Sequence, residues 1–292
     1  MSDPDRRLGL FPAQLRYWRR QRGLSQLDLA LAADVSARHV SFLETGRAMP
    51  SPEMVVQLAV AMGVPLRQVN AMLRAAGHDP VYDEDEESLP ASVVAALSLL
   101  KDHHEPYPVI VLDRTYRVRD LNRAARALLG TVLATGTAGV GDEPGRADPA
   151  ELNLARVTFD PAGARPSLVN FETVGRHLLW RIQREVLADP DDDELRDLLD
   201  ELLAMPTVDP GWRQVDLAVA SDPALVLHLR GGGLDLRFLA MMTAFQAPQN
   251  VAVEHLRIET WFPVDPATAD ACRVLGAGRG AAVGDDLRRG AP

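Results

Sequence analysis

The sequence predicts a two-domain protein in which an all-α domain of five helices precedes an α+β domain, an antiparallel sheet with helices. Three observations carry this prediction. Five short segments with helical spacing, each with its own start and stop residues, fall within the first 80 residues. Apolar, β-branched runs with strand-like alternation begin only near Tyr107. The 292 residues also suffice for two domains of ordinary size, about 100–200 residues each.

Charge is distributed unevenly along the chain. Residues 1–80 contain ten arginines and seven acidic residues, a net charge of +3, whereas the remainder holds 21 basic and 34 acidic residues, a net charge of −13. A contact with nucleic acid is therefore expected from the first domain only. The single cysteine, Cys272, excludes an internal disulfide framework and a zinc cluster of cysteines. No apolar run approaches about 18 residues and no signal-type segment opens the chain, so we expect a cytoplasmic protein without a membrane contact.

The first domain, residues 8–78, is divided into helices by caps and stop residues. Serine and proline suit helix starts, and glycine suits helix ends. The predicted starts are Pro12, Ser25, Ser36, Pro52 and Pro65, and the predicted ends are Gly23, Asp34, Gly46, Gly63 and Gly77. Helical spacing predicts that Leu27, Ala30 and Leu31 face inward in the second helix, and that Val40 and Leu43 do so in the third.

Residues 79–89 form an acidic linker, which we expect to stay solvated because like charges repel. The second domain, residues 90–265, begins with a helix at Pro90 and continues with two short strands, Pro108–Asp113 and Tyr116–Arg119. Next come a helix capped by Asn122 and a predicted loop over 131–150, which is rich in Gly, Ala and Thr. Two longer helices are predicted after it, Phe171–Ala188 and Asp191–Met205. Further strands are predicted over Trp212–Ala220, Ala224–Arg230, Leu234–Phe245 and Asn250–Phe262. The tail, residues 266–292, has no period and is expected to be disordered.

The stretch Gly23-Leu-Ser-Gln-Leu-Asp-Leu-Ala30, with Val35-Ser-Ala-Arg-His-Val-Ser-Phe-Leu-Glu-Thr-Gly46-Arg47 and Pro50-Ser-Pro, resembles the helix-turn-helix of phage-repressor-like (XRE) transcriptional regulators. The resemblance covers roughly residues 8–76 and implies a five-helix, repressor-like DNA-binding domain. The turn position that is usually glycine in this family is Asp34 here. Asp is among the few other residues that tolerate a left-handed backbone.

The resemblance implies that the third helix reads bases in the major groove. Because Val40 and Leu43 are expected to be buried, the base-facing candidates are Ala37, Arg38, Ser41 and Phe42, with Ser36 at the outward-pointing start. Arg38 can pair with guanine, worth about 1–3 kcal/mol of discrimination. Candidates for phosphate contact are Ser25, Gln26 and Arg47, with His39 on phosphate or base. Glu44 is expected to bond local backbone or an arginine. The alternative is an interaction module whose arginines are merely solvated.

Six segments of the second domain look like the ligand-binding domain of MmyB-like regulators. They are Glu105–Asp113, Asn122-Arg-Ala-Ala, Asn153-Leu, Val169-Asn-Phe, Arg176-His-Leu and Phe245–Pro263. The resemblance implies a PAS-like fold, a small antiparallel sheet with helices over one face, and a sensor for a small, fatty-acid-like molecule. Where the family often has Trp after Val-Asn, this chain has Phe171, so an aromatic pocket wall is kept.

Large apolar side chains near polar groups suit an amphipathic ligand, with its tail among methionine and aromatic rings and its head group at Arg or His. The candidate ligand-binding residues are Asn170, Phe171, Arg176, His177, Trp180, Phe238, Met242, Phe245 and Trp261. The alternative is that these residues simply fill the core.

Catalysis has little support in the sequence. His103-His104-Glu105 lacks the i, i+4 histidine pair of a helical metal site, and Asp191–Glu194 is typical of a solvated helix start. No serine nucleophile elbow or nucleotide-binding glycine loop is present. We therefore expect no catalytic residues, no metal and no cofactor.

These observations predict a one-component transcriptional regulator. Its partners would be double-stranded operator DNA and a small amphipathic ligand. A homodimer on a palindrome is expected because one helix reads too few bases, and two-fold half-sites about 34 Å apart are the usual solution. Two alternatives stay open: a non-sensing, antitoxin-like repressor whose second domain serves dimerisation or protein docking, and an enzyme with a DNA-binding appendage.

Overall fold

The computed structural model describes residues 9–84, 89–136, 152–189, 192–213, 225–245 and 250–276. They fall into two compact units. The first comprises the chain up to residue 88 together with residues 246–254, and the second comprises residues 89–245 and the chain from residue 255 onward. Within these ranges, no helix is long and apolar enough to cross a membrane.

The first unit is helical, as predicted. Its first five helices are α1 (Leu10–Gln21), α2 (Gln26–Ala32), α3 (Ala37–Glu44), α4 (Pro52–Ala61) and α5 (Leu66–Ala75). Hydroxyl oxygens of Ser25, Ser36 and Ser51 accept hydrogen bonds from backbone N–H groups at the starts of α2, α3 and α4. Gly23 and Gly46 follow α1 and α3 with φ of +66° and +70°, a left-handed conformation that glycine adopts at low cost. Local capping thus sets the helix boundaries.

The prediction for the inward face of α2 was wrong in part. Ala30 is buried, but Leu27 and Leu31 are 59 % and 73 % exposed. Leu29 takes the core position instead and is fully buried. Residues two apart lie about 200° apart around a helix, so a helix that buries residue 29 must turn residues 27 and 31 outward. The prediction for α3 is confirmed, because Val40 and Leu43 are fully buried.

The second unit contains a five-stranded antiparallel sheet and helices, also as predicted. In chain order its elements are α6 (Ala91–His104), β1 (Val109–Leu112), β2 (Val118–Leu121), α7 (Arg123–Gly136), α8 (Leu154–Phe159), α9 (Phe171–Ala188), α10 (Asp193–Ala204), β3 (Val226–Gly231), β4 (Leu234–Thr243), β5 (Arg257–Pro263) and α12 (Pro266–Gly276); α11 (Val251–Glu254) precedes β5 and belongs to the first unit. The strand order is β2-β1-β5-β4-β3. Pairing of β4 with β5 places Ala240 opposite Trp261 and Met242 opposite Glu259.

The sheet has apolar residues on both faces at β1, because successive side chains of a strand alternate. Ile110 and Leu112 join the large core cluster that includes residues of α7, α9, α10 and β3. Val109 and Val111 join a smaller cluster with Leu97 of α6. The larger cluster holds the fold together around the face that carries the cavity described below.

Several predicted boundaries change. Trp212 lies in a 3-10 turn, Pro210–Arg213, rather than at a strand start, and residues 214–220 of that predicted strand lie outside the described residues. The predicted strand over Asn250–Phe262 begins only at Arg257. The stretch 131–136, expected in a loop, continues α7, and residues 137–150 are outside the described ranges.

Two segments expected to lack structure are ordered where the structure describes them. Residues 266–276 of the predicted disordered tail form α12, because Cys272 and Leu275 pack into the core, while residues 277–292 lie outside the described part. In the linker, Tyr82 is buried and Asp83 bridges to Asn250; residues 85–88 are not described. In both segments, contacts with the rest of the fold therefore outweigh a local sequence that by itself favours disorder.

Candidate DNA-binding surface and ligand pocket

The turn between α2 and α3 has the geometry of a helix-turn-helix. Asp34 occupies the left-handed region with φ of +49°, a conformation that glycine adopts routinely and aspartate is among the few other residues to tolerate. The Val35 N–H donates to the Ala30 carbonyl at 2.9 Å, and the small Ala30 side chain is buried against the neighbouring helix. The turn therefore brings α3 against α2 with a defined exposed face.

The outward face of α3 carries the residues that the sequence assigned to base contacts. Arg38 is exposed, whereas Ala37, Ser41 and Phe42 are partly buried. The Arg38 guanidinium carbon lies 5.1 Å from the centroid of the Phe42 ring. This cation–π contact orients a planar donor fork on the exposed face of the helix.

The predicted phosphate contacts lie at helix ends. Ser25 and Asp28 form a capping box, in which the Ser25 N–H donates to Asp28 at 2.9 Å and the Ser25 hydroxyl accepts from the Asp28 N–H at 3.1 Å. These hydrogen bonds lower the pKa of Asp28. At the start of α3, the Ser36 hydroxyl accepts from the His39 N–H at 3.1 Å. Arg47 is exposed just beyond α3.

The buried Glu44 carboxylate links α3 to Arg19 of α1 and to Gln26 of α2. The carboxylate accepts from Arg19 at 2.5 and 3.1 Å and from the Gln26 side-chain amide at 2.8 Å, and only 3 % of Glu44 is exposed. Burial alone would raise the pKa of Glu44, but the hydrogen bonds from Arg19 and Gln26 outweigh it and lower the pKa. The interpretation of Glu44 as a partner for an arginine is confirmed. Gln26, a predicted phosphate contact, is thereby fixed at the start of α2.

The second unit encloses a cavity of about 370 Å³. Apolar side chains from α7, α9 and the sheet form most of its wall: Leu128, Leu129, Val132, Leu154, Ala164, Leu168, Val174, Leu178, Leu225, Leu227, Leu229, Ala240, Met241, Met242 and Trp261. Thr158 and the polar side chains Tyr116, His177, Arg181 and Glu259 complete the lining. Such a cavity, mostly apolar with a few convergent polar groups, is typical of a small-molecule site.

Three polar lining residues, Tyr116, Arg181 and Glu259, form one hydrogen-bonded network with Glu185 and Arg257. The Tyr116 hydroxyl donates to Glu185 at 2.9 Å and accepts from Arg181 Nε at 3.0 Å. Arg181 Nη2 lies 3.4 Å from Glu259, and Arg257 pairs with Glu185 at 2.9 Å. Two arginines thus balance two glutamates. Burial by itself would lower the pKa of Arg181, but its acidic and phenolic neighbours raise it, so Arg181 stays charged.

Arg181 Nη1 points to a weaker acceptor than the other guanidinium nitrogens do. It lies 3.8 Å from the Sδ atom of Met242, and a thioether sulfur is only a weak hydrogen-bond acceptor. Met242 also lines the cavity. An oxygen of a ligand at this position would be a stronger acceptor for the same nitrogen.

Tyr116 is held in an unusual backbone conformation. Its φ is +64° although it is a bulky residue, and its side chain is fully buried. The Leu154 N–H donates to the Tyr116 carbonyl at 2.8 Å, and the Tyr116 N–H donates to the Asp113 carbonyl at 3.1 Å. Burial raises the pKa of the Tyr116 hydroxyl, against the opposing effect of Arg181, so the phenol is neutral. These contacts fix the hydroxyl at the cavity wall.

The cavity brings together three of the nine predicted ligand residues: His177, Met242 and Trp261. Phe238 is fully buried with its ring 5.6 Å from that of Trp261, so it supports the wall from the core. Phe245 packs against the smaller cluster that contains Leu97. Phe238 of β4 and Phe245, which follows that strand, thus belong to different apolar clusters.

The other predicted ligand residues have structural partners elsewhere. The Asn170 amide donates to the Val226 carbonyl at 2.7 Å and its oxygen accepts from the His228 N–H, which joins α9 to β3. Phe171 is buried between Phe159 and Trp212, and exposed Arg176 lies over the Trp212 ring. Trp180 is partly buried beneath the Arg184 guanidinium. None of these four is among the residues that line the cavity.

Sequence reasoning missed Tyr116, Arg181 and Glu259 as lining residues, although periodicity contained a signal for two of them. Arg181 lies four residues after His177, on the same face of α9. Glu259 lies two residues before Trp261, on the same face of β5. Tyr116 gave no such signal, because its position depends on a left-handed turn.

Little in the described ranges points to metal or thiol chemistry. Among those residues, no group of three or more His, Cys, Asp or Glu side chains is placed to hold a metal ion. Burial raises the pKa of the Cys272 thiol to about 11, which disfavours the reactive thiolate.

Comparison with protein families agrees with both sites. A family model described as the MmyB-like transcription regulator ligand binding domain matches residues 93–275, and a helix-turn-helix model matches residues 15–69. No curated protein sequence matches the chain significantly. The first match contains the cavity and covers more than half of the 292 residues, and the second contains α2, the turn and α3. The chain therefore belongs to the MmyB-like transcription regulators, with a DNA-binding helix-turn-helix unit and a ligand-binding domain in one polypeptide.

Proposed function

We propose that this regulator is a one-component sensor whose affinity for operator DNA is controlled by an amphipathic, fatty-acid-like molecule bound in the cavity. The cavity carries this proposal, because its mostly apolar lining is combined with a group of polar side chains around Arg181. An apolar tail would lie along α7, α9 and β3, and a carboxylate would accept hydrogen bonds from Arg181 Nη1 in place of the Met242 sulfur. His177 lies one helical turn before Arg181 and lines the same cavity.

The charges of the network favour one acidic group in the ligand rather than several. Arg181 already contacts Glu259, and Arg257 already pairs with Glu185. A single carboxylate would compete with Glu259 for Arg181, whereas a multiply charged head group would add unbalanced charge to a partly buried site. A fatty acid meets this condition, with a long apolar tail and one anionic oxygen pair.

At the DNA, α3 would enter the major groove with Ala37, Arg38, Ser41 and Phe42 toward bases. The exposed position of Arg38 and its contact with Phe42 support this assignment. Phosphates would be held by Ser25 and Gln26 at the start of α2 and by Arg47 beyond α3, with His39 on phosphate or base. Two copies of the chain on a palindrome would double the number of bases read, which favours a homodimer.

The proposal is tested with the full chain and a duplex recovered by selection from random DNA. DNA affinity is measured with and without dodecanoate, and binding of dodecanoate itself is followed by thermal melting. We expect a higher melting temperature and a change in operator affinity of roughly 5- to 150-fold, the usual range of allosteric coupling. By linkage, operator DNA must change dodecanoate affinity by the same factor.

Methyl dodecanoate is the matched control ligand, since it keeps the tail and removes the charge. The wild type should bind methyl dodecanoate more weakly than dodecanoate. The Arg181→Met variant should bind the two ligands with about the same affinity. No melting shift with any chain length and an unchanged operator affinity would refute the sensing role. A tightly bound second polypeptide would then favour the antitoxin-like alternative, and turnover of a ligand would favour an enzyme.

A further inference from the structure

A short segment from the second half of the chain is built into the helical first unit. The segment is Asn250–Glu254, which contains α11 and which we call the clamp. Val251 is fully buried in the same apolar cluster as the helices of the DNA-binding unit. The Glu254 carboxylate accepts from the Leu66 N–H at 2.9 and 3.2 Å, at the first residue of α5. A carboxylate here satisfies a backbone N–H that lacks a partner within the helix.

The other end of the clamp is held by the chain that follows α5. The Val251 N–H donates to the Asp83 carbonyl at 3.0 Å, and the Asn250 amide lies 3.2 Å from the Asp83 carboxylate. This chain is fixed to α5 by Asn70, which is fully buried. The Asn70 amide donates to the Tyr82 carbonyl at 2.8 Å, and its oxygen accepts from the Tyr82 N–H at 3.1 Å. The clamp therefore contacts the first residue of α5 directly, and it is linked to Asn70 in the middle of that helix through Asp83 and Tyr82.

The clamp is continuous in sequence with the two strands that line the cavity. β4 ends at Thr243, just after the lining residues Met241 and Met242. Only two residues separate Glu254 from the start of β5, and the lining residue Glu259 follows soon after. A change in β4 or β5 around a ligand therefore reaches the clamp within a few residues of backbone.

We infer that the clamp transmits the state of the cavity to the DNA-binding unit through α5. This inference rests on the proposed function for its ligand, but its structural basis is independent of what that ligand is. Ligand binding at β4 and β5 changes the strength with which Val251 and Glu254 hold α5. Since α5 shares an apolar cluster with α3 through Val40 and Leu43, a change at α5 alters the packing of the base-reading helix.

The test removes the hydrogen bond of the clamp without touching the cavity or α3. Glu254→Ala deletes the carboxylate that caps α5. Glu53→Ala is the matched control, because Glu53 is an acidic residue in the first turn of the neighbouring helix α4. Operator affinity is measured for both variants and the wild type, with and without dodecanoate. We expect dodecanoate to change operator affinity by at least about fivefold in the wild type and in Glu53→Ala. In Glu254→Ala we expect dodecanoate to change operator affinity by less than about twofold.

A second perturbation makes the result independent of the ligand. Met242→Trp places a larger side chain at the cavity, and hydrogen exchange is followed in peptides that cover α5 and the clamp. We expect altered exchange at α5 in Met242→Trp and no such change when Glu254→Ala is also present. Asn250→Ala is a further variant in case Glu254→Ala does not fold.

The outcomes separate this inference from the proposed function. If dodecanoate causes no melting shift while Met242→Trp alters exchange at α5, the ligand class is wrong and the transmission stands. If exchange at α5 is the same in Met242→Trp and the wild type, the inference is overturned. If dodecanoate binds and controls operator affinity, equal coupling in Glu254→Ala and Glu53→Ala also overturns the inference.

Discussion

The size of the cavity predicts how ligand affinity depends on chain length. Burial of one methylene group contributes about 0.8 kcal/mol, or about fourfold in affinity. We therefore expect the dissociation constant of saturated fatty acids to fall about fourfold per added carbon and then to level off once the tail fills the cavity of about 370 Å³.

Isothermal titration calorimetry over a series from hexanoate to octadecanoate measures this dependence. Burial of the tail also gives a negative heat-capacity change that grows with length until the cavity is full. Met242→Trp should move the plateau to shorter chains, because the larger side chain takes space at the wall. Met49→Trp is the matched control, since Met49 is exposed in the DNA-binding unit and lines no part of the cavity.

Two results would refute this reasoning. An affinity that does not depend on chain length would mean that the tail stays outside the cavity. A slope that continues unchanged to octadecanoate would mean that the cavity does not limit the tail. In either case the apolar residues of α7, α9 and β3 would have to be interpreted as core filling, as the sequence also allowed.

Three further predictions concern single side chains. Arg38→Ala should relax base preference at one position per half-site, with a loss of discrimination of about 1–3 kcal/mol. Arg47→Ala should lower the affinity for all DNA sequences alike and reduce the dependence of affinity on salt concentration. Equal losses of affinity for operator and random DNA in both variants would contradict this division of roles. Glu44→Ala should lower the free energy of unfolding by about 2 kcal/mol, because the partly buried Arg19 and Gln26 both lose a charged hydrogen-bond partner. Since the folded-state pKa of Glu44 is lowered, this contribution should be present above about pH 4.5 and be lost as the pH falls further, as measured by urea unfolding of the wild type and variant. In calorimetry, Arg181→Met should lower the affinity for dodecanoate and Glu259→Gln should raise it, while the affinity for methyl dodecanoate should not change in either variant. An equal effect on the affinities for both ligands would exclude a head group at Arg181.

The helical unit could be predicted closely because its boundaries depend on local interactions. Serine caps and glycine stops act within one turn of the residues they affect, so Ser25, Ser36 and Gly46 identified their helices directly. The inward face of α2 could not be read as reliably. Its sequence, Gln-Leu-Asp-Leu-Ala-Leu-Ala, has apolar residues on opposite sides, and only packing against other helices decides that Leu29 rather than Leu27 is buried.

The cavity was predicted by region better than by residue. Trp261, His177 and Met242 were identified because large or polar side chains stand out on otherwise regular elements. Arg176 was chosen over Arg181 on the same helix, yet the position of Arg181 is decided by Tyr116 and Glu259, which are 65 and 78 residues away in sequence. Pattern analysis of one helix does not contain those partners.

The clamp shows the same limit for secondary structure. Asn250-Val-Ala-Val-Glu254 has β-branched residues that favour a strand, and we predicted one. The segment is helical because Asn250 caps it by accepting from the Val253 N–H and because Val251 enters the core of the DNA-binding unit. The cap is local, but the burial of Val251 depends on the helices of the DNA-binding unit, more than 160 positions earlier in the sequence.

The same segment bears on how such a regulator can be taken apart or recombined. A chimaera joined within the linker would give a new DNA-binding unit the sensor of this chain, together with a Val251 and a Glu254 matched to the wrong helix. A fragment that ends at residue 84 would likewise lack an apolar side chain of its own core and the carboxylate at Leu66. The two domains are therefore separable in function but not by a single cut in the chain, and exchange between relatives must carry residues 250–254 with the helices they complete.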